Sequence, residues 1–121
     1  MNIYIPTLNR TEKQITLSNI PKKLYKNIYL VCIEQEAEAL SQYGTNVLVT
    51  PPEVQGIGET RQYVIDNCKD EHILFLDDDL KFYKRNAEKK LRKVIDNQFE
   101  ELYNWIILAL KKGYPMVGVS A

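Results

Sequence analysis

The stretch ILFLDDDLKF, residues 73–82, sets four consecutive apolar residues directly before three aspartates. A short apolar run of this kind is typical of a strand that is buried on both faces of a sheet. Asp77, Asp78 and Asp79 repel one another, and the apolar strand offers them no partner. In parallel α/β sheets, ligands bind in the crevice at the carboxyl ends of the strands. The stretch therefore predicts a buried strand that ends at a ligand site.

Strand-like and helix-like segments alternate along the rest of the chain. Apolar runs predict five strands of one sheet, over residues 3–6, 28–33, 46–50, 72–76 and 116–119. Alternation of this kind is typical of an α/β fold with a mainly parallel sheet and flanking helices. We therefore expect one Rossmann-like domain over residues 1–121.

The segments between the predicted strands carry helical signals. Thr11 and Gln14 have the spacing of a capping box at the start of a short helix. The stretches QEAEALSQYG and GIGETRQYVIDNC predict two further helices, and a longer amphipathic helix is predicted from about Ile95 to Lys112.

Composition excludes some function classes and leaves others open. Sixteen basic residues balance sixteen acidic ones, so the chain as a whole is not attracted to nucleic acid or anionic membranes. The N-terminus does not resemble a signal peptide, and no apolar run approaches the ~20 residues that span a bilayer. Cys32 and Cys68 are expected to be reduced thiols, Cys32 buried, which indicates a cytoplasmic protein.

The segment from Lys81 to Lys93 is strongly basic, and its pattern is too aperiodic to assign to a helix or a strand. Tyr83 lies among these basic residues, a combination also found where aromatic rings stack on nucleic-acid bases. A solvated basic face is the favoured interpretation, and nucleic acid is considered as a partner but not favoured.

The three aspartates have the chemistry of a divalent-cation site. Carboxylate oxygens are hard ligands that suit Mg²⁺ or Mn²⁺, and such ions often share their coordination with substrate phosphates. Side chains alternate along an extended strand. If the strand continues, Asp77 and Asp79 therefore point to one face and Asp78 to the other.

Three motifs in this order resemble the GT-A family of nucleotide-sugar glycosyltransferases. They are IPTLNR, which contains Pro6 to Arg10, then GIGETRQ, Gly56 to Gln62, and then ILFLDDD with its D-x-D pattern. The resemblance covers the nucleotide-binding half of that family. Within it, the chain is most similar to the small glycosyltransferase-like proteins of phage genomes.

The resemblance implies a ligand and roles for individual residues. The ligand would be a nucleotide-diphosphate sugar, with a UDP-sugar favoured, bound through Mn²⁺ or Mg²⁺. Asp77 and Asp79 would coordinate the metal, Asp77 would also approach the ribose or base, and Arg61 would hold the carboxylates or the phosphates. The base and ribose site would be lined by Pro6, Thr7, Asn9 and Arg10. Because the first and last of the three motifs must share this ligand, we expect the first and fourth strands to lie side by side.

The chain departs from the GT-A pattern in its second half. GT-A enzymes are usually longer, and their second half supplies the acceptor pocket, a catalytic carboxylate and often a metal-binding histidine, whereas no histidine follows His72 here. The chain is then a fragment, is completed by a partner chain or a second copy, or binds nucleotide without transfer. The catalytic base and the acceptor are not assigned.

Two other function classes remain open. A nucleotidyltransferase-like enzyme would share the sheet and the metal chemistry, but it usually has a glycine-rich loop after the first strand, and TLNRTEK is not glycine-rich. A non-catalytic interaction module, for example a phage protein, is the other alternative.

Overall fold

The computed structural model describes residues 1–118, and four of the predicted strands form one parallel sheet in it. The strands are β1 (Asn2–Pro6), β2 (Ile28–Ile33), β3 (Asn46–Thr50) and β4 (Ile73–Phe75), in the spatial order β3-β2-β1-β4. All neighbouring strands pair in parallel. The α/β fold and the adjacency of the first and fourth strands are thus confirmed.

Helices flank this sheet and bury its apolar side chains. They are α1 (Ile15–Ser18), α2 (Glu34–Leu40) and α3 (Gly56–Asn67), with 3-10 turns at Lys22–Asn27 and Ser41–Tyr43. On one face of the sheet, Val64 of α3 packs in a buried cluster with Tyr4 and Val31. Because strand side chains alternate between faces, Ile3 and Leu30 belong to the opposite face, where both are fully buried.

The chain divides into two compact units, and this sheet belongs to the first, Met1–Lys81. The second unit begins at Phe82 and contains a hairpin of β5 (Tyr83–Arg85) and β6 (Leu91–Lys93), which pair antiparallel. The helix α4 (Asp96–Lys111) follows. Within this unit the ring of Phe82 packs edge-on against Phe99, with ring centroids 4.9 Å apart.

Two predicted elements differ from the structure. Residues 116–118 are not in a strand, and residue 119 of the predicted fifth strand lies outside the described residues. The predicted capping box is also wrong, because α1 begins at Ile15 and the side chain of Gln14 does not cap it. Gln14 instead donates hydrogen bonds elsewhere in the first unit, as described below.

Two predictions about cysteines and membrane segments can be compared with the structure. Cys32 and Cys68 are both free thiols, and Cys32 is buried as expected. Over residues 1–118, none of the helices has both the length and the apolar character that a membrane span requires.

Candidate functional site

The acidic segment leaves the sheet one residue earlier than predicted. The strand β4 ends at Phe75, and the backbone N–H of Leu76 donates to the carbonyl of Tyr4 at 3.1 Å. The aspartates therefore lie in a turn beside the carboxyl end of β1. Strand alternation does not extend to them, because the backbone is no longer extended there.

Asp78 turns inward, whereas its two neighbours face solvent. Its Oδ2 accepts a hydrogen bond from Thr7 Oγ1 at 2.8 Å, and its Oδ1 lies 3.1 Å from Nε of Arg10. The Asp78 side chain is 15% exposed, against 57% for Asp77 and 55% for Asp79. Asp78 therefore links the acidic turn to the segment that follows β1, and the other two carboxylates remain accessible.

Thr16 in α1 holds the backbone of the same turn. Its N–H donates to the carbonyl of Asp78 at 3.1 Å. Its hydroxyl donates to the carbonyl of Asp77 and accepts from the N–H of Leu80, the latter at 2.8 Å. Thr16 is completely buried, so these bonds are shielded from water. The turn is thereby fixed at both its backbone and its central side chain.

Gln14 extends the hydrogen-bond network from the Asp78 side chain. Its Nε2 donates to Thr7 Oγ1 and to the carbonyl of Arg10, both at 2.9 Å. Protons are thus donated in one direction, from Gln14 to Thr7 and from Thr7 to Asp78. Gln14 is 3% exposed, and its Oε1 has no hydrogen-bond partner among residues 1–118.

Asn9 and Glu36 form a contact that the sequence pattern did not indicate. Asn9 has a φ of 59°, in the left-handed region, and its backbone N–H donates to both carboxylate oxygens of Glu36, at 3.1 and 3.0 Å. Glu36 is buried on α2, four residues before the buried Leu40. Residues four positions apart lie on the same side of a helix, so this spacing places Glu36 on the inward face of α2. The spacing was the signal in the sequence that could have predicted a buried Glu36. Glu34, which begins α2, is exposed.

Two arginines partly compensate the acidic turn. Arg61 of α3 places NH2 3.1 Å from Oδ1 of Asp77. Arg10 pairs with Asp78, and its NH2 is 4.0 Å from Oδ2 of Asp79. Three carboxylates thus face two guanidinium groups, and Asp79 has the weakest compensation. Arg61 and Asp77 are both largely exposed, and an exposed ion pair contributes little to stability. The pair therefore orients the two side chains more than it stabilises the fold.

A cavity of about 450 Å³ opens at the carboxyl edge of the sheet, beside the acidic turn. The ends of β1, β2 and β3 and the start of α3 line it. Pro6 and Thr7 contribute to its wall, but Asn9, Arg10, Arg61 and the aspartates do not. Thr7 therefore joins the two parts of the site, since it lines the cavity and also bonds Asp78. The lining residues that sequence reasoning missed include Cys32, Thr50, Gln55 and Thr60.

Cys32 contributes a neutral group to the cavity wall. Burial, and to a smaller extent the nearby Glu36 carboxylate, raise the pKa of its thiol to about 11. The thiol therefore stays protonated at neutral pH. A thiolate is the form that attacks substrates, so the thiol of Cys32 is a weak nucleophile at neutral pH.

Metal binding by protein side chains alone would require a larger ligand group than the described chain provides. Over residues 1–118, no three His, Cys, Asp or Glu side chains are grouped closely enough to hold an ion. The exposed carboxylates of Asp77 and Asp79 form a smaller set of hard oxygen ligands. A Mg²⁺-type site commonly uses one or two carboxylates and completes its coordination with water and substrate phosphates.

Comparison with known proteins provides a family for this arrangement. No curated protein and no solved structure is significantly similar to the chain. Residues 1–121 do match a family that is described as TET-Associated Glycosyltransferase (TAGT). The match extends over the cavity, the acidic turn and the second unit alike. Because it spans the whole sequence, the chain belongs to the TET-associated glycosyltransferase family.

Proposed function

We propose that the chain binds a nucleotide-diphosphate sugar, with UDP-sugars favoured, at the carboxyl edge of its parallel sheet. The observation that carries the proposal is the junction at Thr7, which lines the 450 Å³ cavity and hydrogen-bonds the central aspartate of the acidic turn. A nucleoside diphosphate has a flat, uncharged base with hydrogen-bonding groups and a charged diphosphate. The cavity is suited to the base with its ribose, and the acidic turn is suited to the diphosphate.

The cavity suits a base and ribose because its wall is mixed in character. Ile33 and Ile57 supply apolar surface, and Thr60 and Gln55 supply hydrogen-bonding groups. Small-molecule sites are typically concave and mostly apolar, with a few polar groups that fix orientation. Parallel sheets also bind ligands at this edge, where the strands end.

The acidic turn suits a diphosphate only together with a divalent cation. A bare diphosphate would be repelled by Asp77 and Asp79, whereas Mn²⁺ or Mg²⁺ can be shared by carboxylates and phosphates. When bound, the cation would neutralise charge on the leaving diphosphate. In this assignment Asp79 and Asp77 hold the metal, and Arg61 keeps the Asp77 carboxylate oriented at 3.1 Å. We assign no catalytic base.

The test is calorimetric titration with UDP and UDP-sugars, in Mn²⁺ and again with chelator. We expect micromolar to millimolar binding that is tighter with Mn²⁺. Asp79→Ala should abolish the metal-dependent part and leave the free energy of unfolding unchanged or raised, because one of several crowded like charges is removed. Asp77→Ala should weaken nucleotide binding as well.

Glu71→Ala is the matched control, because it removes one exposed carboxylate that precedes the amino end of β4, whereas the acidic turn follows its carboxyl end. Equal binding with and without metal would reject the metal site. Binding of a nucleoside triphosphate, with release of its β- and γ-phosphates as pyrophosphate when a sugar phosphate attacks its α-phosphorus, would instead indicate a nucleotidyltransferase. Failure of every nucleotide to bind would leave the non-catalytic interaction module.

A further inference from the structure

The helix α4 carries a row of exposed side chains on the side opposite to its buried ones. The buried side chains of this helix are those of Phe99, Tyr103 and Ile106. Glu101, Trp105, Leu108 and Lys112 follow one another at spacings of four, three and four residues, and all are exposed. A helix turns by about 100° per residue, so these four side chains share the outward side of α4. They are named the outer stripe below.

The centre of the outer stripe is apolar and open to solvent. Trp105 is 65% exposed and Leu108 is 57% exposed, and residues three apart on a helix are neighbours. Both line a groove of about 400 Å³ together with Tyr114 and Met116. Contiguous apolar surface of this kind marks an interaction site, and aromatic residues are enriched at the buried centre of protein interfaces.

The two ends of the outer stripe carry opposite charges. Glu101 lies one turn before Trp105, and Lys112, at the C-cap of α4, lies one turn after Leu108. Among residues 1–118, neither Glu101 nor Lys112 takes part in an ion pair. A stripe with an acid at one end, an apolar centre and a base at the other end is complementary to a reversed copy of itself.

We propose that the outer stripe is a dimer interface, which packs antiparallel against the same stripe of a second copy of this chain. A two-fold axis between Trp105 and Leu108 sets each of them against the other residue of the second copy. The same axis sets Glu101 against Lys112 at both ends of the contact. Alternating spacings of four and three residues are also those of helices that interlock as a coiled coil. A parallel pair would instead join like charges at each end, which is repulsive.

A second copy fits the outer stripe better than a lipid surface does. An anionic membrane would accept Trp105 and Leu108 but would repel Glu101. The reversed copy supplies a cation to Glu101 and a carboxylate to Lys112 at the same time. The apolar centre would provide most of the affinity, and the charged ends would fix the direction of the two helices. The inference does not rest on the nucleotide-sugar proposal, because the outer stripe belongs to the unit that begins at Phe82.

The first test is sedimentation equilibrium of the full chain, which measures how far the mass rises above the 14.1 kDa of one chain. Trp105→Ala should raise the dissociation constant of the dimer at least about 30-fold, because tryptophans at the centre of an interface dominate its affinity. Ile65→Ala is the matched control, since Ile65 is 51% exposed on the helix α3. It should change the constant by less than about 2-fold. Alanine favours the helix, and circular dichroism melts verify that both variants fold.

The second test reverses the charges and examines the antiparallel direction. Glu101→Lys and Lys112→Glu should each weaken dimerisation by about 3- to 10-fold, because each variant sets like charges together at both ends of the contact. An equimolar mixture of the two variants should dimerise like the parent, because each end of the mixed pair again joins an acid to a base. The double variant E101K/K112E should also dimerise like the parent.

Three outcomes would overturn the proposal. The first is a chain that remains a monomer up to about 1 mM. The second is a dimer that Ile65→Ala weakens as much as Trp105→Ala, or one that the mixture of charge variants does not restore. The third is a chain that stays monomeric but binds anionic lipid vesicles through Trp105, which would assign the outer stripe to a membrane surface.

Discussion

Asp78 differs from the two aspartates beside it in the groups that surround its carboxylate. It accepts a hydrogen bond from Thr7 and pairs with Arg10, while Asp77 and Asp79 extend into solvent. A carboxylate with such partners belongs to the folded structure, and removing it leaves the partners without compensation. The three consecutive aspartates thus divide into one that holds the turn and two whose carboxylates are exposed.

Removal of the Asp78 carboxylate is expected to destabilise the fold. Asp78→Ala should lower the free energy of unfolding by about 1–3 kcal/mol in urea melts without metal, because the Thr7 hydroxyl and the Arg10 guanidinium lose their acceptor. Asp78→Asn should lower it less, since one amide oxygen still accepts. Asp79→Ala is the control and should not lower the free energy of unfolding. If Asp78→Ala and Asp79→Ala melt alike, Asp78 does not hold the turn.

Cys32 is expected to make stability depend on alkaline pH. In the unfolded chain its thiol ionises near the ordinary pKa of about 8.5. In the folded chain the pKa is about 11, chiefly because of burial. The free energy of unfolding is therefore unaffected by this thiol below about pH 8.5, where it is protonated in both states. As the pH rises to 11 the unfolded chain loses the proton first, and the free energy of unfolding falls by roughly 2–3 kcal/mol.

The measurement compares the parent with Cys32→Ala in urea melts from pH 7 to pH 11. The difference in unfolding free energy should narrow as pH rises, because only the parent has this thiol. Tyr4, whose pKa burial also raises, titrates in both proteins and cancels from the difference. If the difference in unfolding free energy between the parent and Cys32→Ala stays constant from pH 7 to pH 11, the raised pKa of Cys32 is contradicted.

The orientation of single residues was predictable only in part. The sequence indicated that Arg10, Arg61 and the aspartates belong to one region, and the structure brings them together. Strand alternation set Asp78 apart from Asp77 and Asp79, and Asp78 is the one that turns inward, although β4 already ends at Phe75. The sequence did not indicate that the fold holds the Asp78 carboxylate, because its partners Thr7 and Arg10 are distant in sequence and their contacts are tertiary.

Among the elements, α1 is short, and its main contribution is to hold the acidic turn. One buried side chain, Thr16, supplies both a donor and an acceptor to the backbone of residues 77–80. Thr16→Val keeps the shape but removes the hydroxyl. We expect a loss of about 1–3 kcal/mol of unfolding free energy and weaker UDP binding, because a buried carbonyl and N–H lose their partners.

The matched control for this change is Ser18→Ala in the same helix. Its hydroxyl is exposed and bonds only the carbonyl of Ile15, at 2.7 Å. We expect its melt and its nucleotide titration to match the parent within about 0.5 kcal/mol. If Thr16→Val also matches the parent, the turn is held by other contacts.

Strands and helices that show a local periodicity of apolar residues were predicted well. Elements that depend on the chemistry of a turn or a helix cap were not. The four strands of the sheet and the helix α3 follow from apolar runs and helical spacing. The hairpin of β5 and β6 was missed because its exposed strands lack apolar alternation. Its local signal was Asn86, whose side chain organises the turn. The α1 cap was wrong because Gln14 bonds residues outside its helix.

At the scale of the whole molecule, the proposed nucleotide-sugar site lies within one of the two compact units. The cavity and the acidic turn belong to Met1–Lys81, and the hairpin of β5 and β6 belongs to the unit that begins at Phe82. The α/β class could be predicted because alternating elements permit few architectures. The prediction of a single domain over residues 1–121 stays a prediction. The strong local charge of residues 83–93 was visible in the sequence, whereas the hairpin that carries it was not.

The strand order also determines when the site can form during synthesis. Ile3 of β1 aligns with Ile28 on one side and with Leu74 on the other, so the second neighbour of β1 is made much later than the first. At roughly 5–20 residues per second, the residues between β3 and β4 take about 1–5 s to translate. During that interval the side of β1 that will pair with β4 is an open edge, and open edges are prone to pair with other chains. The acidic turn is positioned only when β4 docks, so nascent chains that stall earlier carry an open edge and no site.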